Sequence, residues 1–354
     1  MSKRIRVLVV EDSLTVRKRL CEVLAAASEL EVIAEAEDGK RGIELCQELR
    51  PDVVTLDMML PMMSGLAATE YIMAHCPTPI LIVSSSINRG ELYRTYDALA
   101  AGAVDVLEKP RGDDTDGDWE GRLVAAVKLV SRIRVITHPR ARLGVLGRTP
   151  APAAAVPLRS PRPGAQVVAL GASTGGPGAI LEILHAIPSP FPLPILIVLH
   201  IGDPFATAFA DWLDGQSSHE VAFARDREPL KGDRVVLAPP GCHLAVGGGR
   251  LLLKSGPERH SCRPSVDVLF ESVAWEYGAA AAACLLTGMG RDGAAGLLEV
   301  RAAGGVTVVQ DEATSVVYGM PREAVLLGAA EQVLPVGAIG PFIASLAAGA
   351  EEPS

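Results

Sequence analysis

Five polar residues in the first third of the chain have types that suit phosphoryl transfer to a carboxylate. They close or follow short apolar runs that are typical of strands: Glu11, Asp12, Asp57, Ser84 and Lys109. Three carboxylates in one place repel one another unless a divalent cation with oxygen ligands, such as Mg²⁺, neutralises them. With that charge balanced, Asp57 can attack a phosphoryl group, while the Ser84 hydroxyl and the Lys109 ammonium contact the new phosphate oxygens. We therefore expect a Mg²⁺ site at Glu11, Asp12 and Asp57, with Asp57 as the phosphoryl acceptor.

A second group of residues, later in the chain, suits acyl transfer through a serine. Ser173 lies in the sequence GASTGG at a predicted strand-to-helix corner, where a helix N-terminus and backbone N–H groups stabilise an oxyanion. His200 closes the next apolar run, and Asp292 lies in TGMGRDG after a later one. We expect His200 to take the Ser173 proton and Asp292 to orient the imidazole. Backbone N–H groups near Thr174 and Met289 are the expected oxyanion donors.

The GASTGG sequence has two other interpretations, and the surrounding residues argue against both. In an α/β-hydrolase the G-x-S-x-G serine is followed by the acid and then by the histidine, whereas here His200 precedes Asp292. A nucleotide site is disfavoured because the third glycine of the dinucleotide fingerprint and the P-loop lysine are missing. Because a triad is defined by the roles of its members, the order Ser, His, Asp remains compatible with catalysis.

The elements that must position the first group are alternating strands and helices. Short apolar runs occupy residues 5–10, 31–36, 52–57, 80–85 and 103–109, and segments of helical periodicity lie between them. A last helix is expected from about residue 119 to 136. This alternation predicts a parallel, doubly wound sheet, in which ligands bind beyond the carboxyl ends of the strands.

The second half repeats this alternation and adds one antiparallel feature. Its apolar runs occupy residues 166–170, 194–199, 234–239, 281–288 and 305–310. A glycine-rich turn within residues 243–253 predicts a hairpin. The second half is therefore expected to be a doubly wound, mostly parallel α/β domain with an antiparallel hairpin.

A segment of different composition separates the two halves. Residues 137–164 contain several prolines and arginines but no acidic and no aromatic residue, so this segment has little with which to build a core. We interpret it as an extended linker, although a basic segment in an acidic protein can also dock an acidic partner. The predicted domains are residues 1–136 and 165–350.

Composition excludes several classes of protein. The chain has 354 residues, 49% of them apolar, which is enough for two hydrophobic cores. The net charge of −9 argues against nucleic-acid binding. The cysteines lie far apart with no C-x-x-C motif, which gives no zinc or disulfide motif and suggests reduced cytosolic thiols: Cys21, Cys46, Cys76, Cys242, Cys262 and Cys284.

No targeting or membrane-spanning segment is expected. The apolar run that begins at Val7 is interrupted by Glu11 and Asp12, which makes it too short for a signal peptide. The longest uncharged stretch, residues 183–202, contains four prolines, which would break a spanning helix: Pro188, Pro190, Pro192 and Pro194. We expect a cytoplasmic protein.

Residues 3–135, with the acidic strand ends and Lys109-Pro110, resemble the receiver domain of two-component response regulators. The resemblance implies a flavodoxin-like fold, phosphorylation of Asp57 by a histidine kinase, Mg²⁺ held with the help of Glu11 and Asp12, and phosphate contacts from Ser84 and Lys109. Three positions depart from the usual pattern. Met59 stands where Glu is common, Ser64 where Asp is frequent, and Val106 at the usual aromatic switch position.

Nearly the whole chain resembles the chemotaxis protein-glutamate methylesterase family, CheB. The motifs that carry the resemblance are GASTGGP, LH, CRPSVDVLF, LTGMGRDGAAG and YGMPREA. It implies hydrolysis of methyl esters on chemoreceptor glutamates, with deamidation of receptor glutamines left open. No cofactor is expected for the hydrolysis. The RPSVDVLF segment, residues 263–270, is either a border of the substrate cleft or an ordinary entry into a helix.

The resemblance also implies partners and regulation. The expected partners are methylated cytoplasmic helices of chemoreceptors and a CheA-type histidine kinase as phosphodonor. We expect the unphosphorylated receiver to cover the cleft around Ser173, and phosphorylation of Asp57 to favour an uncovered state. A non-catalytic signalling adaptor remains the alternative function. A DNA-binding regulator is disfavoured by the acidic charge and by the lack of a helix-turn-helix pattern.

Overall fold

The computed structural model describes residues 3–85, 89–109, 118–133, 135, 164–202 and 205–347. The chain divides into two compact units, Met1–Ala153 and Ala154–Ser354. The predicted linker, residues 137–164, lies outside the described residues except for Gly164, so the domain limits stay predictions. Within the described part of the chain, no helix is both long enough and apolar enough to cross a membrane.

The first unit is a five-stranded sheet flanked by helices. Its strands are β1 (Ile5–Val10), β2 (Leu30–Ala36), β3 (Val53–Leu56), β4 (Ile80–Ser84) and β5 (Asp105–Glu108). Its helices are α1 (Leu14–Ala26), α2 (Gly39–Leu49), α3 (Gly65–His75), α4 (Arg89–Ala100) and α5 (Asp118–Val130). The strand order is β2-β1-β3-β4-β5, and all pairs are parallel.

The apolar runs of this unit explain why it forms such a sheet. Every residue of β3 and β4 is buried, which is typical of parallel strands covered by helices on both faces. The chain leaves β1 for β2 on one side and returns to β3 on the other, so the strand order reverses between β1 and β3. Such a reversal opens a crevice at the carboxyl ends of the strands, and Glu11 and Asp57 follow β1 and β3 there.

The second unit contains a seven-stranded sheet and a separate hairpin. The sheet strands are β6 (Val167–Ala172), β7 (Ile195–Leu199), β8 (Glu220–Phe223), β9 (Arg234–Leu237), β12 (Ala281–Leu285), β13 (Val306–Gln310) and β14 (Gln332–Leu334). They lie in the order β14-β13-β12-β6-β7-β9-β8, all parallel. The hairpin pairs β10 (His243–Gly247) with β11 (Arg250–Lys254) in antiparallel fashion.

Helices flank this second sheet. They are α6 (Gly176–Ala186), α7 (Phe205–Gln216), α8 (Val266–Tyr277), α9 (Ala294–Ala302), α10 (Met320–Leu326) and α11 (Val336–Ala347). One continuous core joins residues of β6, β7 and β12 to buried side chains of α8 and α9, including Leu269, Phe270 and Leu297. At Gly171 a Cβ atom would lie 2.2 Å from Val266 Cγ1, so glycine is needed for the start of α8 to pack against the end of β6. This contact brings the start of α8 close to the end of β6, which Ser173 follows.

The predicted fold class is confirmed in both units, and the departures are local. The 243–253 hairpin is present, while the apolar run 281–288 gives a strand only as far as Leu285. The residues after Leu285 form a loop instead. The edge strands β8 and β14 were not predicted, because they are short and their residues lack a continuous apolar run. The last helix of the first unit ends at Val130 rather than near residue 136.

Candidate active site and acidic pocket

Ser173 and His200 lie side by side at the ends of two neighbouring strands. Ala172 of β6 pairs with Leu199 of β7, and His200 N donates to Ala172 O over 3.0 Å. Ser173 follows Ala172 and His200 follows Leu199, so the two residues lie at the ends of strands about 4.8 Å apart. Among the described residues, the Ser173 hydroxyl makes no hydrogen bond to the imidazole. A change of the serine χ1 rotamer moves the hydroxyl, and catalytic hydrogen bonds commonly tighten only when substrate is bound.

The loop that follows β12 packs directly against the Ser173 corner. Ser173 N donates to Thr287 O over 3.0 Å, and Gly176 N donates to Ser173 O over 2.7 Å. A Cβ atom on Gly288 would lie 2.8 Å from Ser173 Cβ and 2.4 Å from Met320 Sδ. A side chain at this position would require Met320 or Ser173 to shift, so the loop after β12 packs closely against the Ser173 corner.

Asp292 is a buried carboxylate at the N-terminus of α8. Its Oδ1 accepts from Ser265 Oγ (2.7 Å) and from Asp267 N (3.2 Å), and its Oδ2 accepts from Val266 N (2.7 Å). The side chain is only 2% exposed. Burial raises the pKa of Asp292, but hydrogen bonds from His200, Ser265 and the helix backbone outweigh it and hold the pKa below its usual value. The carboxylate is therefore ionised and fixed in direction.

His200 is oriented by Asp292. Its Nε2 lies 2.9 Å from Asp292 Oδ2, and since a carboxylate only accepts, Nε2 carries the proton. The Nδ1 atom faces the other way, 3.7 Å from the half-buried thiol of Cys262. Burial lowers the pKa of His200, but the hydrogen bonds with Asp292 and Cys262 outweigh it and raise the pKa to about 9. The ring nitrogen available for proton transfer is thus Nδ1.

Thr174 and Met289 lie on two loops that flank Ser173. Thr174 directly follows the serine, and its carbonyl accepts from Thr287 Oγ1 over 3.0 Å. Met289 follows Gly288, whose carbonyl accepts from the backbone N–H groups of Gly319 and Met320. The Met289 side chain is 56% exposed. Thr174 is therefore the neighbour of Ser173 in sequence, and Met289 follows Gly288 in the loop that packs against Ser173, near the start of α6.

The sequence pointed to the CRPSVDVLF segment, but not to the contacts that its individual residues make in this site. Ser265, Val266 and Asp267 belong to the RPSVDVLF segment, and all of them donate to Asp292. That segment therefore enters the site by hydrogen-bonding the Asp292 carboxylate. Cys262 and His200 are 62 residues apart in the sequence, and no spacing pattern predicts that they are in contact.

The acidic pocket of the first unit brings four of the five predicted residues together: Glu11, Asp12, Asp57 and Lys109. Lys109 Nζ lies 2.9 Å from Asp57 Oδ2 and 3.0 Å from Glu11 Oε2. Glu11, Asp12 and Asp57 each present an oxygen within 4.8 Å of the others. Glu11 and Asp57 are buried, whereas Asp12 is exposed.

The chemistry of this pocket fits a hard divalent cation. Within the described residues, Asp57 Oδ1 is a buried oxygen that accepts no hydrogen bond, and buried Glu11 Oε2 has the Lys109 ammonium 3.0 Å away as an ion-pair partner. Burial, followed by the charge of Asp57, raises the pKa of Glu11 to about 7 even with Lys109 beside it. Burial likewise raises the pKa of Asp57, although Lys109 opposes that effect. Unsatisfied, crowded carboxylate oxygens are the donor set that Mg²⁺ uses.

Ser84 is engaged by a residue that the sequence did not single out. Its hydroxyl donates to Glu91 Oε1 over 2.8 Å, and Ser85 N donates to the same oxygen over 2.8 Å. Ser85 Oγ donates to Glu91 Oε2 over 2.6 Å. The Glu91 carboxylate, on α4, is buried. In this arrangement the Ser84 hydroxyl is held by Glu91 and not by the Asp57 pocket.

Comparisons with known proteins cover both units. Residues 168–343 match the family model described as CheB methylesterase, and residues 7–115 match the response regulator receiver domain. The chain is 44% identical over 336 residues, 95% of each chain, to a protein of Anaeromyxobacter dehalogenans (strain 2CP-C) named protein-glutamate methylesterase/protein-glutamine glutaminase 2.

Two further relatives extend this result. The chain is 41% identical over 333 residues, 93% of each chain, to protein-glutamate methylesterase/protein-glutamine glutaminase 4 of Myxococcus xanthus (strain DK1622). The crystal structure of the Thermotoga maritima CheB methylesterase catalytic domain matches with a TM-score of 0.50 and 34% identity, covering 51% of this chain and 98% of that one. With long relatives above 40% identity and both family models matched, this chain belongs to the CheB methylesterase family and carries a response regulator receiver domain.

Proposed function

We propose that this protein hydrolyses methyl esters of glutamate side chains on the cytoplasmic helices of chemoreceptors, and so contributes to sensory adaptation. The observation that carries this proposal is the hydrogen bond from His200 Nε2 to Asp292, at the strand end beside Ser173. The names of the relatives at 41% and 44% identity support the substrate class. The reaction takes place in the second unit.

The first half of the reaction forms an acyl-enzyme. Ser173 Oγ attacks the ester carbonyl carbon, and His200 Nδ1 accepts the serine proton as the new C–O bond forms. Asp292 stabilises the resulting imidazolium through Nε2–H. When the tetrahedral intermediate collapses, the bond to the methoxy oxygen breaks, His200 returns its proton to that oxygen, and methanol leaves.

The second half restores the enzyme. His200 Nδ1 takes one proton from water, whose oxygen attacks the acyl carbon, and returns that proton to Ser173 Oγ as the carboxylic acid is released. The acid then loses the second water proton to solvent and becomes the carboxylate. The same steps on a glutamine side chain release ammonia, because the amide nitrogen replaces the methoxy oxygen. We therefore include glutamine deamidation in the proposal.

Backbone N–H groups of Thr174 and Met289 are the proposed donors to the oxyanion. They belong to the two loops that border Ser173, and α6 begins immediately after the Ser173 corner. Fixed backbone donors at a helix N-terminus favour negative charge, and losing one such donor costs on the order of 10² to 10³ in rate.

Phosphorylation of the first unit is the proposed control of the esterase. Asp57 would accept a phosphoryl group from a CheA-type histidine kinase, and Glu11, Asp12 and Asp57 would hold Mg²⁺ beside it. The bound cation supplies positive charge that offsets the carboxylates and the phosphoryl oxygens. Lys109, within 2.9 Å of Asp57, is placed to contact the phosphate, and Ser84 would join it after leaving Glu91.

A methanol-release assay on methylated receptor membranes tests the esterase. We expect release from the wild type and from Ser218→Ala, an exposed serine of the same unit, and none above background from Ser173→Ala. Equal release from Ser173→Ala and wild type would reject the triad and favour a non-catalytic adaptor. A small phosphodonor is expected to accelerate the wild type and to leave Asp57→Asn unchanged.

A further inference from the structure

The thiol of Cys262 lies against the one ring nitrogen of His200 that Asp292 does not occupy. The Sγ atom is 3.7 Å from Nδ1, while Nε2 is bound to Asp292. The proposed hydrolysis uses Nδ1 but gives no role to the thiol. Sulfur and an imidazole nitrogen are two of the ligands that zinc prefers.

The geometry of the pair suits a shared metal ion. Zinc binds sulfur at about 2.3 Å and imidazole nitrogen at about 2.0 Å, so a tetrahedral ion holding both would separate them by about 3.5 Å. The observed separation of 3.7 Å is close to that value. Ligand atoms of His200, Cys262 and Asp292 all lie within 4.8 Å of one another.

Asp292 completes the arrangement behind the histidine. A histidine that binds zinc through one nitrogen typically donates the other N–H to a carboxylate, which fixes the ring and increases its basicity. Asp292 already receives that bond over 2.9 Å and is itself held by Ser265 and the start of α8. The imidazole is therefore oriented for a ligand at Nδ1 before any ion arrives.

The backbone also fixes the thiol. Arg259 N donates to Cys262 O over 3.1 Å, and Cys262 N donates to Arg259 O over 2.9 Å. The two residues between them, His260 and Ser261, both have positive φ values, 51° and 61°. This closed turn presents Cys262 toward His200 and leaves it half-buried, so that ions in solvent can reach it.

We propose that Cys262 Sγ and His200 Nδ1 bind Zn²⁺, and that the bound ion inhibits the esterase by occupying the nitrogen that must accept the Ser173 proton. On binding, the Cys262 S–H bond breaks, its proton goes to solvent, and Zn–S and Zn–N bonds form. Any proton on Nδ1 is released as well, so binding strengthens as pH rises. With only two side-chain ligands, the affinity for Zn²⁺ is expected to be well below that of four-ligand structural sites.

The inhibitory part of this inference depends on the proposed function, whereas the binding part does not. Binding is therefore measured separately, with Co²⁺ as the probe in the full-length protein and excess Mg²⁺ present to fill the acidic pocket. A thiolate ligand gives Co²⁺ a charge-transfer absorption in the near ultraviolet, which oxygen ligands do not give. We expect this band at one Co²⁺ per chain in the wild type and its loss on addition of Zn²⁺.

The matched variants are Cys262→Ser and Cys242→Ser, since Cys242 is another half-buried thiol of the same unit. The band is expected to disappear in Cys262→Ser and to remain in Cys242→Ser. Zn²⁺ is expected to inhibit methanol release by the wild type, and a chelator should restore it. Half-maximal inhibition of Cys262→Ser should need at least tenfold more Zn²⁺. Each variant is compared with its own metal-free rate. Zn²⁺ should also protect Cys262 of the wild type from alkylation, a readout that needs no variant.

The outcomes separate the two proposals. A wild type without the band, a band that survives in Cys262→Ser, or alkylation of Cys262 unaffected by Zn²⁺ would overturn the metal site. A Cys262-dependent band with no change in methanol release would overturn inhibition. A Cys262-dependent band in a protein with no metal-free esterase activity would reject the proposed function and leave the metal site standing.

Discussion

His200 reaches Asp292 through Nε2, over 2.9 Å, and not through Nδ1. The ring nitrogen that remains for Ser173 is therefore Nδ1, which is also the nitrogen that Cys262 approaches. One imidazole therefore contacts Asp292 through Nε2 and Cys262 through Nδ1, and the same Nδ1 is the proposed acceptor of the Ser173 proton.

Replacing Asp292 with asparagine should reduce both rate and stability. In the wild type, both carboxylate oxygens accept hydrogen bonds, from His200, Ser265 and the α8 backbone. Asparagine keeps one acceptor oxygen, but its NH₂ group would face some of these donors. We expect a loss of about 10³ to 10⁴ in kcat. The free energy of unfolding should fall by about 1 to 3 kcal/mol.

Methanol release and urea unfolding measure these two effects. Asp226→Asn is the control, because Asp226 is an exposed carboxylate that also accepts a backbone N–H, from Leu253. An Asp292→Asn enzyme with more than a tenth of wild-type kcat would contradict the assignment of the acid.

The esterase should become faster as pH rises toward 9. A general base acts only in its neutral form, and the pKa of His200 is raised to about 9 because hydrogen bonds with Asp292 and Cys262 outweigh burial. Below that value, kcat/KM is expected to rise about tenfold per pH unit, with the plateau above it. Measurement of kcat/KM from pH 6 to 10 on one ester substrate checks this. A plateau already reached at pH 7 would be inconsistent with a histidine held in this way.

Removing the thiol should shift the pH profile toward lower pH. Cys262 contributes to the raised pKa of His200, so Cys262→Ala should lower that pKa and increase the neutral fraction near pH 7. We expect kcat/KM at pH 7 to increase severalfold, in metal-free buffer. Cys242→Ala provides the comparison, and the same midpoint in both variants would show that the thiol does not act on the imidazole.

Gly288→Ala should displace the nucleophile. The added methyl group would lie 2.4 Å from Met320 Sδ and 2.8 Å from Ser173 Cβ, so one of the two loops must move. Displacement of a reacting group by about 1 Å can cost on the order of 10² in rate, and overpacking costs about 1 to 3 kcal/mol of stability. Gly202→Ala adds a methyl group with nothing within 4 Å and should retain wild-type kinetics. Normal kcat in Gly288→Ala would mean that Ser173 tolerates the shift.

Glu91→Gln should make the receiver easier to phosphorylate. When the Ser84 hydroxyl leaves to contact a phosphate, Glu91 loses a bond in a buried position, and leaving a buried charged acceptor short of donors costs at least about 1 to 3 kcal/mol. A neutral amide reduces that cost, so the phosphodonor concentration for half-maximal phosphorylation should fall by up to about tenfold. Phosphate-affinity gels measure it, with Glu70→Gln on the exposed face of α3 as the control. An unchanged half-maximal concentration would mean that Glu91 does not oppose the switch.

The strand ends were accessible from the sequence because apolar runs mark where each strand stops. Ser173 and His200 follow such runs, and parallel pairing of Ala172 with Leu199 places them at the ends of neighbouring strands. Asp292 lies seven residues beyond Leu285, in a loop, yet the TGMGRDG motif was sufficient to select it.

Other parts of the site could not be predicted because they depend on tertiary packing. Ser265 and Cys262 reach the triad through a turn and a helix start whose positions are set by contacts such as Gly171 with Val266. Glu91 has no neighbour in sequence that predicts its bonds to Ser84 and Ser85. The edge strands β8 and β14 were also not predicted, because they are stabilised by pairing with β9 and β13 more than by their own sequences.

Asp292, the proposed acid, also accepts from the first backbone N–H groups of α8, although it comes from a distant part of the chain. Replacing Asp292 to change reactivity would also remove the acceptor of backbone N–H groups at the start of a core helix. Redesigning that helix start would in turn alter the position of Asp292 and so reduce the rate. Stability and turnover therefore depend on the same carboxylate, and a substitution there is expected to change both.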